Sequence, residues 1–127
     1  MKKVLVSLLF IAALASCKKE TTPVTKPYNI EYKIWGTPLS NKTVSGTVTY
    51  VSKTSATTAD TVTDFGWNVA ESNWNLKVGD KVGFTASVTN FATYQASIIV
   101  DGTIAIFRNG AQTVPITTNL TLYYTLE

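Results

Sequence analysis

The 127-residue chain is 45% hydrophobic and 15% charged, with a formal charge of +3, one cysteine and no histidine. Without histidine and with a single thiol, Ser-His-Asp triads, Cys-His pairs and His or Cys metal centres are out of reach. The charge is uneven. Lys2, Lys3, Lys18, Lys19 and Lys26 all precede Tyr28; after it, six basic residues (Lys33, Lys42, Lys53, Lys77, Lys81, Arg108) meet seven acids (Glu31, Asp60, Asp64, Glu71, Asp80, Asp101, Glu127), so that part is near −1 and lacks the basic face of a nucleic-acid binder.

Taken in chain order, Lys2 and Lys3 give a positive start, and Val4 to Leu14 is apolar apart from Ser7. A bilayer span needs about 18 or more apolar residues, and a run this short has the form of a secretory signal. Its end, Leu14-Ala15-Ser16-Cys17, resembles the lipobox of bacterial lipoproteins. The resemblance implies cleavage before Cys17 and acylation of that cysteine, which removes the only thiol from disulfide chemistry. Two or more acyl chains, as that family carries, make a stable anchor, whereas one is marginal. Residues 1–16 are therefore expected to be a lipoprotein signal peptide, 17–27 the lipidated cysteine with a flexible tether, and 28–127 a β-sandwich domain. The tether, Lys18 to Pro27, has two prolines and no aromatic residue, as an extended linker should. The expected location is the cell envelope, on the outer membrane. Lys18-Lys19-Glu20 resembles the lysine-plus-acid tract of some surface-displayed lipoproteins, with one acid where that tract has more.

From Tyr28 the period becomes two. Tyr28, Ile30, Tyr32 and Ile34 alternate with polar residues in a half-buried strand; Val44, Val48 and Tyr50 follow in a second. Ser52 to Asp64 reads as a loop or weak edge. Phe65, Trp67 and Val69 alternate again; Leu76 to Asp80 reads as a strand end and turn; Val82, Phe84, Ala86 and Val88 form another strand. Two apolar runs flank Asp101-Gly102, a strong hairpin signal, and Asn109-Gly110 offers a second tight turn. Leu120, Leu122, Tyr124 and Leu126 close the chain. Seven to eight short strands without a helical pattern predict an antiparallel, immunoglobulin-like β-sandwich, with a small closed barrel as the alternative.

With Asp101 and Gly102 as turn residues, Val100, Ile98 and Ala96 face Thr103, Ala105 and Phe107 on one side, which suits a core. On the other side Ile99 faces Ile104 and Ser97 faces Ile106, an apolar set that a solvated sheet face does not favour. Either the segment Ser52 to Asp64 covers it, or Ile99, Ile104 and Ile106 form an open surface for a partner.

Glu31, Asp60, Asp64, Glu71, Asp80 and Asp101 are the carboxylates available for acid/base work. Asp80 and Asp101 sit in turns that explain them, Glu31 and Glu71 look solvated, and Asp60 with Asp64 falls short of the six to eight oxygens that calcium requires. The expectation is no enzyme, no metal and no cofactor. Asp60-Thr61-Val62 resembles an O-glycosylation site of certain exported bacterial proteins, which would modify Thr61. Trp67, Tyr94, Phe107 and Tyr124 fit core positions. Trp35, on the polar side of its strand, and Trp74, among Glu71, Ser72, Asn73 and Asn75, are either caps at the ends of the sandwich or stacking residues for a glycan.

The opening Tyr28-Asn29-Ile30-Glu31-Tyr32-Lys33-Ile34-Trp35-Gly36, the Val48-Thr49-Tyr50 strand, Trp74 with Lys77-Val78-Gly79-Asp80-Lys81-Val82, and Ala96 to Gly102 resemble, in that order, the soluble domain of the MmpS family of small membrane proteins. The resemblance implies a β-sandwich outside the membrane and an accessory role beside lipid exporters, with no catalytic residues. A lipobox in place of that family's transmembrane helix leaves the exporter partnership open. The functional expectation is a membrane-anchored, non-catalytic module that contacts an envelope protein partner, or alternatively a glycan.

Overall fold

The computed structural model describes residues 24–54 and 56–127. The expected signal, Cys17 and most of the tether lie outside the described residues. Eight strands follow in order: β1 (Thr25–Pro38), β2 (Ser45–Val51), β3 (Thr57–Val62), β4 (Trp67–Lys77), β5 (Lys81–Thr89), β6 (Phe91–Val100), β7 (Thr103–Ala111) and β8 (Thr117–Thr125). β1 takes up Thr25, Lys26 and Pro27, so the last three residues of the stretch read as tether are already in strand.

The strands form two antiparallel four-stranded sheets, β4-β1-β6-β7 (sheet 1) and β3-β2-β5-β8 (sheet 2). They pack face to face as a β-sandwich, as the alternation predicts. Among the described residues, only β2–β3 and β6–β7 are hairpins; every other connection between these strands crosses between the sheets. The Asp101-Gly102 turn behaves as its sequence predicts: both residues have positive φ, 49° and 79°, as a two-residue type I′ hairpin demands. Asn109-Gly110 does not turn. It runs inside β7, where the Tyr94 ring lies across Gly110 and leaves no room for a Cβ.

One face of each sheet supplies the core. Tyr32 stacks on Trp67 at 6.3 Å between ring centroids, and Phe84 meets both rings edge-on. The Tyr32 hydroxyl donates to Val51 O (2.9 Å) and accepts from Gly83 N–H (3.2 Å), so a phenol carried by sheet 1 is satisfied in the middle of the core by β2 and β5 of sheet 2. Burial raises its pKa far above the ordinary tyrosine range.

Two one-residue irregularities determine which residues reach the surface. In β4, Asn29 of β1 lies opposite both Ser72 and Asn73, because the pairing slips between Tyr28 and Ile30. Asn73 takes a positive φ of 54°, which asparagine tolerates, and its N–H donates to Asn29 Oδ1 (3.1 Å). The slip moves the buried positions from Trp67 and Val69 to Trp74 and Leu76. In β7, Ile104 faces Ile99 but Ile106 faces Ile98, so Ala105 is an extra residue bulged out of the ladder. Beyond it, Phe107 faces Ser97 and Arg108 faces Ala96, one place off the unbulged register.

Candidate functional site

The bulge at Ala105 rewrites the outer face of sheet 1. Ile106, expected on that face, points inward and packs against the core. Phe107, expected in the core, points outward and is 46% exposed. Ile104 is exposed and Ile99 half-buried, as an open face requires. The segment Ser52 to Asp64 does not cover them, since β3 belongs to sheet 2.

Cross-strand pairing arranges the face in rows. Glu31, Ile99 and Ile104 form one; Lys33, Ser97 and Phe107 the next; Trp35, Gln95 and Asn109 the third; Thr37, Thr93 and Ala111 the fourth. Trp35 is half-buried and leans toward Phe107, with ring centroids 6.3 Å apart and planes tilted by 55°. The Lys33 ammonium lies over the indole, 5.1 Å from its centroid. Ser97, outward by register, is nevertheless 0% exposed, because its neighbours close over it, and its Oγ has no hydrogen-bond partner among the described residues. A buried hydroxyl left unpaired costs about 1–3 kcal/mol. Between β6 and β7, a shallow depression of about 500 Å³ is lined by Thr93, Tyr94, Gln95, Asn109, Gly110 and Ala111.

The free edge of β7 is less inviting than the face. Ala105 bulges, and Arg108, paired with inward-facing Ala96, sets a charge on the inner side of the edge strand. Bulges and inward-pointing charges are how edge strands avoid pairing with other chains.

Trp74 is 3% exposed and belongs to the core with Tyr28 and Leu76. It is on the opposite side of sheet 1 from Trp35, so the two tryptophans do not form one stacking site. Phe65, expected inward in alternation with Trp67, is 98% exposed: the Thr63–Gly66 bridge forms a tight turn with Gly66 at φ 83°, and the strand resumes only at Trp67. Thr61 is exposed on β3, on the outer face of sheet 2.

Five of the carboxylates accept hydrogen bonds from the backbone or from neighbouring side chains. Asp60 accepts from Trp67 Nε1 (3.0 Å) and from Thr61 N (2.8 Å); Asp64 accepts from Val44 N. Asp80 accepts from Lys77 N (2.9 Å), Asp101 from Asn29 N (2.8 Å), and Glu31 from Asn68 Nδ2 (2.6 Å). Among the described residues, no three His, Cys, Asp or Glu side chains gather as metal ligands would. No family model matches the chain, and no curated protein matches it.

Proposed function

We propose that this is a non-catalytic binding module of the cell envelope, anchored in the outer membrane through a lipid on Cys17, which presents the outer face of sheet 1 to a protein partner. The observation that carries the reading is the open apolar row of Ile99 and Ile104 with Phe107 beside it. Burying these side chains against a partner stabilises a complex by roughly 25 cal/mol per Å² removed from water, before the cost of association. The hydrogen-bonding duties of Asp60, Asp64, Asp80 and Asp101 support a structural role for the acids over an acid/base pair. Thr61 suits O-glycosylation because it is exposed on the other sheet, where a glycan would leave the binding face free; an unmodified Thr61 peptide in the mass spectrum of the native protein would remove that part.

The decisive experiment places a photo-crosslinking residue at Phe107 in intact envelopes, with Thr85 on the opposite face as control. The expected result is a discrete protein adduct at 107 and none at 85. Only uncomplexed protein from both positions, or equal adducts from both, rules the reading out.

A further inference from the structure

We infer that this chain forms a two-fold symmetric dimer in which β8 pairs, antiparallel and edge to edge, with β8 of a second copy, joining two copies of sheet 2 into one continuous sheet. The inference goes beyond the protein-partner reading and rests on other residues.

Each sheet has two edge strands, and the four are treated unequally. An open edge presents unpaired N–H and C=O groups, and natural sheets blunt it with bulges, charges, short strands or covering groups. In sheet 1, β7 carries the Ala105 bulge and Arg108. β4 breaks its ladder at Asn73, where φ is 54°, and Lys53 Nζ reaches Ser72 O at 2.6 Å. In sheet 2, β3 is only six residues long, and Asp60 turns its carboxylate onto Thr61 N–H at 2.8 Å. β8 has none of these devices. Its nine residues include no charge and no proline, and they pair with β5 from Thr89↔Thr117 to Lys81↔Thr125 without a register shift. No strand lies on its far side among the described residues.

Alternation determines which backbone groups of β8 are open. Gly83 N–H of β5 is given to the Tyr32 hydroxyl, on the side of β2, and just past β8 Leu126 N–H is given to Asp80 O. Within β8, Thr118, Leu120, Leu122 and Tyr124 therefore bond to β5. Thr117, Asn119, Thr121, Tyr123 and Thr125 turn their N–H and C=O groups to the open edge, and their side chains are exposed.

The pleat specifies the occupant. An added strand must set apolar residues beside buried Leu120 and Leu122 on the inner side and uncharged polar residues beside Thr121 on the outer side. β8 itself meets that description. About a two-fold axis through Thr121, the outer pairs are Thr121 with Thr121, Asn119 with Tyr123 and Thr117 with Thr125; the inner pairs are Leu120 with Leu122 and Thr118 with Tyr124. This register uses the whole strand, sets no like charges together and places threonine against threonine, a favourable cross-strand pair. The open residues of the two copies exchange about ten backbone hydrogen bonds. The contact is isologous, so it closes at two copies, and the blunted edges do not extend it. Because the axis is perpendicular to sheet 2, both copies turn the outer face of sheet 1 the same way.

The test is sedimentation equilibrium of the full chain in detergent, joined to a photo-crosslinking residue at Tyr123 in intact envelopes. The expected results are the mass of two chains, and an adduct at 123 made of this chain alone. Thr121→Lys should weaken the dimer about tenfold or more, because symmetry sets the two ammonium groups side by side. Thr47→Lys, on the same face but two strands from the edge, should leave it intact. Thr121→Pro removes an N–H that the β5 ladder does not use, so it should unfold in urea like the parent and still lose the dimer. A single-chain mass at every concentration, a dimer that survives both Thr121 replacements, or an adduct at 123 with a different protein overturns the inference. The Thr121→Lys chain should still be captured through Phe107, so failure here and failure of the protein-partner reading are separate results.

Discussion

The two outer faces of the sandwich are built on the same pleated backbone and end with different chemistry. On sheet 2 the rows read Thr61, Thr47, Ser87, Asn119 and Ala59, Thr49, Thr85, Thr121. That is an ordinary solvated face: β-branched hydroxyls favour the pleat, pair across strands and leave their polar groups to water. On sheet 1, isoleucine, phenylalanine and tryptophan occupy equivalent positions, and a serine hydroxyl is sealed beneath them at a cost. A fold that needed only solubility could use threonine on both sides. The asymmetry is therefore the feature that calls for a function, and it can be broken experimentally in order of effect.

The largest effect separates a core tryptophan from a face tryptophan. Trp74→Ala should cost about 3–5 kcal/mol in urea unfolding, the range for emptying a buried aromatic site. A loss below about 1 kcal/mol would return Trp74 to the surface and undo the β4 slip.

Next comes the phenol between the sheets. Tyr32→Phe should cost about 1–3 kcal/mol, because Gly83 N–H and Val51 C=O lose a buried partner. Its pH dependence has a definite sign. Burial, the dominant cause, raises the folded-state pKa above the unfolded value, so the neutral phenol is favoured in the fold. That contribution is full below the ordinary tyrosine pKa of about 10 and is lost as pH climbs past it. Tyr50 is shifted the same way, by burial first and then by Asp60 and Glu71. Thermal unfolding of the parent chain should therefore fall steeply above pH 10, and Tyr32→Phe should blunt the slope without abolishing it; parallel curves would mean that Tyr32 is not the titrating core group.

The faces themselves should respond weakly in stability and differently in binding. Ile99→Thr with Ile104→Thr should change stability by less than about 1 kcal/mol while removing the crosslinked complex captured at Phe107. A sharp loss of stability would show that something covers the row. The smallest effect belongs to sheet 2: Thr85→Val should shift stability by no more than about 0.5 kcal/mol and leave capture intact. If it abolishes capture, the face assignment is reversed.

Most of the strands could be read from period-two alternation, because inward positions such as Tyr28, Ile30, Tyr32 and Ile34 or Val82, Phe84, Ala86 and Val88 are dictated by burial. The Asp101-Gly102 turn was equally legible, since both residues tolerate the positive φ it imposes. The site was not, because alternation extrapolates only while the ladder is unbroken. Trp74 and Phe107 each lie beyond a single extra residue: Phe107, expected in the core, faces outward, and Trp74, expected as a cap or a stacking residue, is in the core. For Trp74 a signal existed: Trp74-Asn75-Leu76 resumes the alternation of Trp67-Asn68-Val69 with the opposite parity, and Asn73 between them is a residue that accepts left-handed backbone. For Phe107 there was none, because Ile104 to Phe107 is unbroken by any polar residue and fits either register. Gly110 misled for a related reason: it is there to make room for the Tyr94 ring, not to turn the chain.

The bulge at Ala105 also bears on inheritance. Losing this one codon would let β7 pair without interruption and would leave Ile106 opposite Ile98 and Phe107 opposite Ser97, as they are now. Core and surface would keep those two residues through the genetic event, and the irregularity at the edge alone would go. Lineages descended from such a deletion would keep both the sandwich and the face while exposing a straighter edge strand that invites pairing with other chains, so the lasting contribution of the extra residue is an edge that other chains do not extend.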